Sequence, residues 1–119
     1  MKTHRDLEVW QKSREFVTTV YTLTKDFPKD EIYGLTNQIR QSAVLIPSNI
    51  AEGSARRKNK EYRQFLYIAL GSLAELETQL IIAHDLKYIE SIAEYDSSIA
   101  NLRMMLESLI KSLKDKKVD

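Results

Sequence analysis

Apolar positions recur with a helical period along this whole chain. From Asp6 onward, Val9, Phe16, Val20, Leu23 and Phe27 fall on one heptad-like face, with Ser13 in one of its slots and Trp10 and Val17 widening it. A residue before proline is pushed out of helical angles, so Phe27-Pro28 predicts the end of this first helix. A polar connector occupies residues 28–34 and holds Lys29, Asp30 and Glu31. A second helix is expected from about Leu35 to Ala51 or slightly beyond, its inner face reading Leu35, Ile39, Ser42, Ile46, Asn49 and then Gly53. Pro47 removes a backbone donor inside that run and predicts a bend there. Residues 53–59 read as a connector, with Asn59 as the N-cap of a third helix.

The third helix carries the most regular pattern: Tyr62, Leu66, Ala69, Leu73, Leu76, Leu80 and Ala83 alternate at spacings of four and three. Gly71 and Ser72 lie beside this seam and would admit a closely packed neighbour. Ile92, Tyr95, Ile99, Leu102, Leu106, Leu109 and Leu113 repeat the pattern in a fourth helix. Sustained heptads imply shallow crossing angles, and short connectors make successive helices antiparallel neighbours. The expectation is an all-α chain, a single domain over residues 1–119, folded as an up-down-up-down antiparallel four-helix bundle with helix two kinked at Pro47. Trp10, Val17, Phe65, Leu70 and Ile81 lie off the seams. Some of them would widen the core, and the rest would suit an assembly surface.

Composition narrows the class. The 119 residues include no cysteine, which excludes disulfides and thiolate metal sites and fits a reducing cytoplasm. The charged N-terminal stretch does not read as a secretory signal, and charges break the apolar runs before they reach the length of a membrane span. A cytoplasmic protein without membrane contact is expected. Net charge is +1, yet its distribution is uneven. Residues 56–63 hold five bases against Glu61, residues 75–96 hold six acids against Lys87, and the tail is basic through Lys111, Lys114, Lys116 and Lys117.

Catalytic groups are sparse. The two histidines are His4 and His84. Ile81 stands where the Glu-x-x-His pairing of di-iron bundles needs glutamate, and His84 is expected to be partly buried near the end of helix three. Gly34, Gly53 and Gly71 are too widely spaced for a phosphate loop. Glu52 is placed to pair with Arg56 one helical turn away. Asn49 is expected to fix register or to bind the carbonyl freed by the proline, that of Ala43. Pro47, Asn49, Glu52 and Gly53 therefore read as a structural motif. No catalytic constellation, metal set or cofactor is expected, so the chain does not read as an enzyme.

Arg56, Arg57, Lys58, Lys60 and Arg63 form the candidate contact surface. Tyr62 and Tyr67 fall on or beside the seam and so offer poor stacking platforms. Phosphate contacts of this kind are sequence-independent and lose roughly 0.7–0.9 log units of affinity per log unit of salt for each phosphate engaged. One copy would bind weakly; a ring of copies would multiply the charge.

Several segments carry a resemblance: Asp6-Leu7-Glu8-Val9-Trp10-Gln11, Phe27-Pro28, and residues 33–40 reading Tyr-Gly-Leu-Thr-Asn-Gln-Ile-Arg. To these are added Ile46-Pro47-Ser48-Asn49-Ile50-Ala51-Glu52-Gly53, then Gly71-Ser72-Leu73-Ala74-Glu75-Leu76-Glu77, and Leu86-Lys87-Tyr88-Ile89. With these the chain resembles the 23S ribosomal RNA intervening-sequence proteins, small bacterial four-helix-bundle proteins. Leu45 departs from the small polar residue expected at its position. The resemblance implies a ring-forming homo-oligomer, a homopentamer, similar to the accessory protein of diversity-generating retroelements, which binds nucleic acid and a reverse transcriptase. It also implies RNA contact at Arg40 and in the basic segment after Gly53. Arg14 is added to the expected contacts apart from the resemblance. The expected function is non-enzymatic binding of structured, ribosomal-RNA-related RNA by a homo-oligomer. The alternative is a protein-interaction scaffold whose basic rim docks a partner such as a reverse transcriptase or other polymerase.

Overall fold

The computed structural model describes residues 2–115. They fold into four α-helices, α1 (Glu8–Thr24), α2 (Leu35–Ser54), α3 (Asn59–Asp85) and α4 (Ala93–Lys114), with no strand among the described residues. Short 3-10 turns, His4–Asp6 and Lys29–Glu31, precede α1 and α2. The helices pack into an all-α bundle about 49 × 23 × 21 Å.

The heptad seams make the core. Ile39, Ile46 and Ile50 of α2, Leu66, Leu73, Leu76 and Leu80 of α3, Leu102 and Leu106 of α4, and Val20 of α1 are all buried. Fully burying each such side chain stabilises the fold by roughly 1.5–3 kcal/mol, which is why the pattern dictates the packing. Where the fourth seam put Leu109, the structure buries Ile110 more deeply and leaves Leu109 half-buried. By length and mean hydropathy alone α3 could also cross a membrane, with an 18-residue window averaging 1.4 despite Glu75 and Glu77. Its seam instead lies inside the bundle, as in the core helix of a globular protein.

The ends show what stops each helix. Thr3 opens the N-terminal turn with a capping box: its hydroxyl accepts from Arg5 N, and Asp6 accepts from Thr3 N at 3.0 Å. α1 stops at Thr24, earlier than Phe27-Pro28 suggested. The Thr24 hydroxyl donates back to the Val20 carbonyl at 2.9 Å. Glu31 ties two connectors together, one carboxylate oxygen accepting from Leu35 N at 3.2 Å and the other from the Tyr88 hydroxyl at 2.8 Å. The last turn of α3 closes as a Schellman motif: Lys87 N donates to His84 O, Tyr88 N donates to Ala83 O, and Lys87 takes φ 66°. His84 is exposed there rather than partly buried, because it falls off the seam that Ala83 occupies.

Glycine divides differently from expectation. A Cβ on Gly71 would meet nothing within 4 Å, so Gly71 seats no helix of this chain. A Cβ on Gly53 would lie 2.8 Å from Phe65 Cβ and 3.1 Å from the Tyr62 carbonyl oxygen. Gly53 is therefore where α2 and α3 approach too closely for a side chain.

Candidate nucleic-acid interface

α2 continues through Pro47 to Ser54, so the Ile46–Gly53 motif is helical throughout. Asn49, 9% exposed, donates from Nδ2 to the Leu45 carbonyl at 2.8 Å, not to that of Ala43. The reason is reach: one helical turn rises about 5.4 Å, and Ala43 lies well over a turn back. Glu52 and Arg56 form an ion pair at 3.1 Å across the end of the helix. Gly53 then lets α3 start against α2, which makes the connector, residues 55–58, short and tight. Lys58, not Asn59, occupies the N-cap of α3, and no side chain caps it. The first turn already includes Asn59.

The candidate residues separate into groups. Arg57, Lys58 and Lys60 are exposed, each projecting from the connector or the first turn of α3. Arg56 is held by Glu52 and by the Phe65 ring, 4.7 Å beneath its guanidinium. Arg63 is half-buried and donates to the Leu113 carbonyl at 3.3 Å, capping the end of α4. Arg14 lies 5.5 Å over Trp10. Arg40 does not join the cluster: its Nε donates to the Thr24 hydroxyl at 2.8 Å, and its guanidinium lies 4.6 Å over Tyr21. The distance from Arg40 to Arg56 along α2 is about 24 Å at the helical rise per residue.

Contacts between elements identify further cations at the Arg57 end. Lys2, His4 and Arg5 line a groove together with Ser54, Ala55 and Tyr62. The Arg63–Leu113 bond, and the Lys114 ammonium 5.8 Å over Tyr67, bring the end of α4 beside the start of α3. Lys111 shares a second groove with Tyr67 and Lys114. So Lys2, Arg5, Lys111 and Lys114 join Arg57, Lys58 and Lys60 at one end of the bundle. Lys116 and Lys117 of the basic tail lie outside the described residues. At the other end the two remaining connectors meet through Glu31, Tyr88 and Phe27, whose ring is 5.4 Å from that of Tyr88. Asp26, Asp30, Glu31, Asp85 and Glu90 fall in or next to those connectors and outnumber Lys25, Lys29 and Lys87 there. The charge asymmetry of the sequence becomes a polarity of the bundle.

The sequence pattern of the 23S rRNA-intervening sequence protein family matches residues 5–110. The chain belongs to this family. A comparison with curated proteins returns no match. Within this intervening-sequence protein the matched region contains the connector cations, while Lys2, Lys111 and Lys114 lie beyond it.

The flank of the bundle differs from its ends. Residues 41–51 of α2 and 64–74 of α3 carry no charged side chain. Val44, Leu45, Tyr67 and Ile68 within these stretches are 38–51% exposed, Tyr67 lying under the Lys114 ammonium, and a Cβ on Gly71 would meet nothing within 4 Å. Ile81 and Ile82 extend exposed apolar surface along α3. Tyr67 is thus a surface residue rather than a seam residue. Tyr62 is half-buried, its phenol raised above its ordinary pKa by burial, yet it lines the groove with Lys2 and Arg5, so its seam position does not remove it from the surface. Among the described residues no three His, Cys, Asp or Glu side chains come together as a metal set.

Proposed function

We propose that this member of the intervening-sequence family is a non-enzymatic, self-associating protein that binds structured RNA through its phosphates. The observation that supports RNA binding is the convergence of cations from separate parts of the chain. The N-terminal turn, the α2–α3 connector, the first turn of α3 and the end of α4 all contribute. Arg57, Lys58 and Lys60 are the leading contacts, because they are exposed at that end and no ion pair among the described residues draws on them. Arg56 and Arg63 act more as supports, since Glu52 and the Leu113 carbonyl engage them. Self-association is supported by the uncharged outer stretches of α2 and α3. Exposed apolar surface of this kind marks an interaction face, and a glycine in an exposed helix interior lowers stability by about 1 kcal/mol unless a close neighbour uses the space.

The test is light scattering after gel filtration, with an RNA hairpin at several salt concentrations. A defined oligomer should capture the hairpin. Replacing Arg57, Lys58 and Lys60 by alanine should then reduce the slope of log affinity against log salt by roughly 2–3 per copy engaged. A well-formed oligomer indifferent to RNA at low salt refutes RNA binding. Tight, salt-insensitive capture of a polymerase domain would favour the scaffold reading instead.

A further inference from the structure

The groove at the basic end differs chemically from four other grooves on the surface. It has a volume of about 430 Å³, within the roughly 300–1,000 Å³ typical of small-ligand sites. Its exposed lining is mainly apolar, with Leu7, Ala55 and Tyr62 supplying carbon surface and Lys2 and Arg5 the positive charge. Among the described residues no carboxylate lines it. The other four each include one, Glu15 in two of them, Glu90 with Asp85 in a third and Glu107 in the fourth. Ala55, which lines the groove, opens the connector that carries Arg56, Arg57 and Lys58.

A planar apolar body between negative groups is what such a lining fits. Paired RNA presents phosphates and hides its base faces, whereas unpaired nucleotides can splay out and pack against aromatic side chains. Phosphate contacts alone would need no apolar recess. We propose that this groove takes one unpaired nucleotide of the bound RNA strand, its base against Leu7, Ala55 and Tyr62 and its flanking phosphates against Lys2 and Arg5. The inference rests on the RNA-binding reading and adds a preference to it: unpaired or bulged RNA over continuous duplex. His4, which also lines the groove, packs edge-on against Trp10 at 5.0 Å. Trp10 is the chain's single tryptophan, so its fluorescence reports occupancy.

The experiment compares a single-stranded RNA oligonucleotide with a blunt duplex of equal length, by anisotropy and by Trp10 fluorescence. The wild-type chain should bind the single strand more tightly, with a fluorescence change absent for the duplex. Ala55→Leu fills the groove from an exposed position and leaves every cation in place. It should weaken single-strand binding roughly tenfold, abolish the fluorescence response and leave duplex binding unchanged. Lys2→Ala with Arg5→Ala, at exposed positions, should weaken the single strand more than the duplex. Circular dichroism melts confirm that each variant is folded. Duplex and single strand bound alike by wild type and Ala55→Leu would overturn the groove while sparing the RNA-binding reading. Failure of both probes to bind at low salt would overturn both. Adenosine monophosphate competing as strongly as the oligonucleotide would make this a free-nucleotide site and overturn the assignment to an RNA strand.

Discussion

Alanine at Gly53 should destabilise the bundle, while the same substitution at Gly71 should stabilise it. Both glycines lie inside helices at negative φ, so both substitutions gain the helix propensity of alanine over glycine, about 0.8–1 kcal/mol. At Gly71 nothing opposes that gain within this chain, since a Cβ there has no neighbour within 4 Å. At Gly53 the added carbon would sit 2.8 Å from Phe65 Cβ, 3.0 Å from Tyr62 Cδ1 and 3.1 Å from the Tyr62 carbonyl oxygen. Two of those atoms are a side-chain stem and a backbone group, so neither can swing aside. α3 would have to withdraw by about half an ångström to restore ordinary contacts. Overpacking of this kind costs about 1–3 kcal/mol.

The propensity gain cancels when the two variants are compared, leaving the steric cost alone. Gly53→Ala should therefore be less stable than Gly71→Ala by about 1–3 kcal/mol. Urea unfolding followed by circular dichroism measures this, with unchanged m-values showing that the folded and unfolded states are comparable. Repeating it over a range of protein concentrations separates folding from association, because an alanine at Gly71 could also press on a neighbouring copy. Equal stabilities within about 0.5 kcal/mol would refute the close approach of α2 and α3 at Gly53.

Three further outcomes follow from local chemistry. Lys87→Gly should stabilise the chain by about 1 kcal/mol, because a residue with a Cβ now occupies the left-handed position of the α3 cap; lower stability in urea would count against that strain. Gln79 Oε1 is buried without a hydrogen-bond partner among the described residues, so the similarly sized Gln79→Met should gain about 1 kcal/mol; a loss of that size would reveal a partner for the amide. Burial and the neighbouring Glu94 carboxylate push Tyr95 up from 10.0 to about 12, so its contribution is complete below pH 10 and is lost as pH rises towards 12. Tyr95→Phe should show a shallower alkaline loss of stability across that window, and identical slopes would exclude Tyr95 as a source of it.

The bundle was legible because burial follows heptad position. Leu66, Leu73, Leu76 and Leu80 could be assigned to the core from spacing alone, since a buried stripe at this period has one helical solution. What spacing could not settle was anything set by the third dimension. Tyr67 shares the aromatic character of Tyr62, but its heptad position faces outward. Gly53 and Gly71 look alike in sequence, and the neighbour that distinguishes them comes from another helix. Arg40 and Arg63 read in sequence as RNA contacts like their neighbours, and only the fold brings the Thr24 hydroxyl and the Leu113 carbonyl to them. The terminal cations were the recoverable omission. In an antiparallel bundle of four helices, the first residues and the end of the fourth helix return to the second connector. Lys2, Arg5, Lys111 and Lys114 could have been added to the cluster on that ground.

Under the proposed function, the placement of charge also constrains how copies would associate. The uncharged face runs along the flank of the bundle, whereas the cations gather at one end of its 49 Å length. Copies related by rotation about an axis parallel to that length would share one basic rim. Copies related by a two-fold axis across the flank would set each basic end beside a partner's acidic end, and neutralise it. Binding to RNA separates the two. The eight exposed cations described at one basic end, Lys2, Arg5, Arg56, Arg57, Lys58, Lys60, Lys111 and Lys114, would together give a salt slope of magnitude about 6–7. A rim shared by several copies should exceed that on a sufficiently long structured RNA, and shortening the RNA to one bundle's footprint should bring the slope back within it. An oligomer whose slope stays within the single-copy limit on long RNA would rule out a shared basic rim.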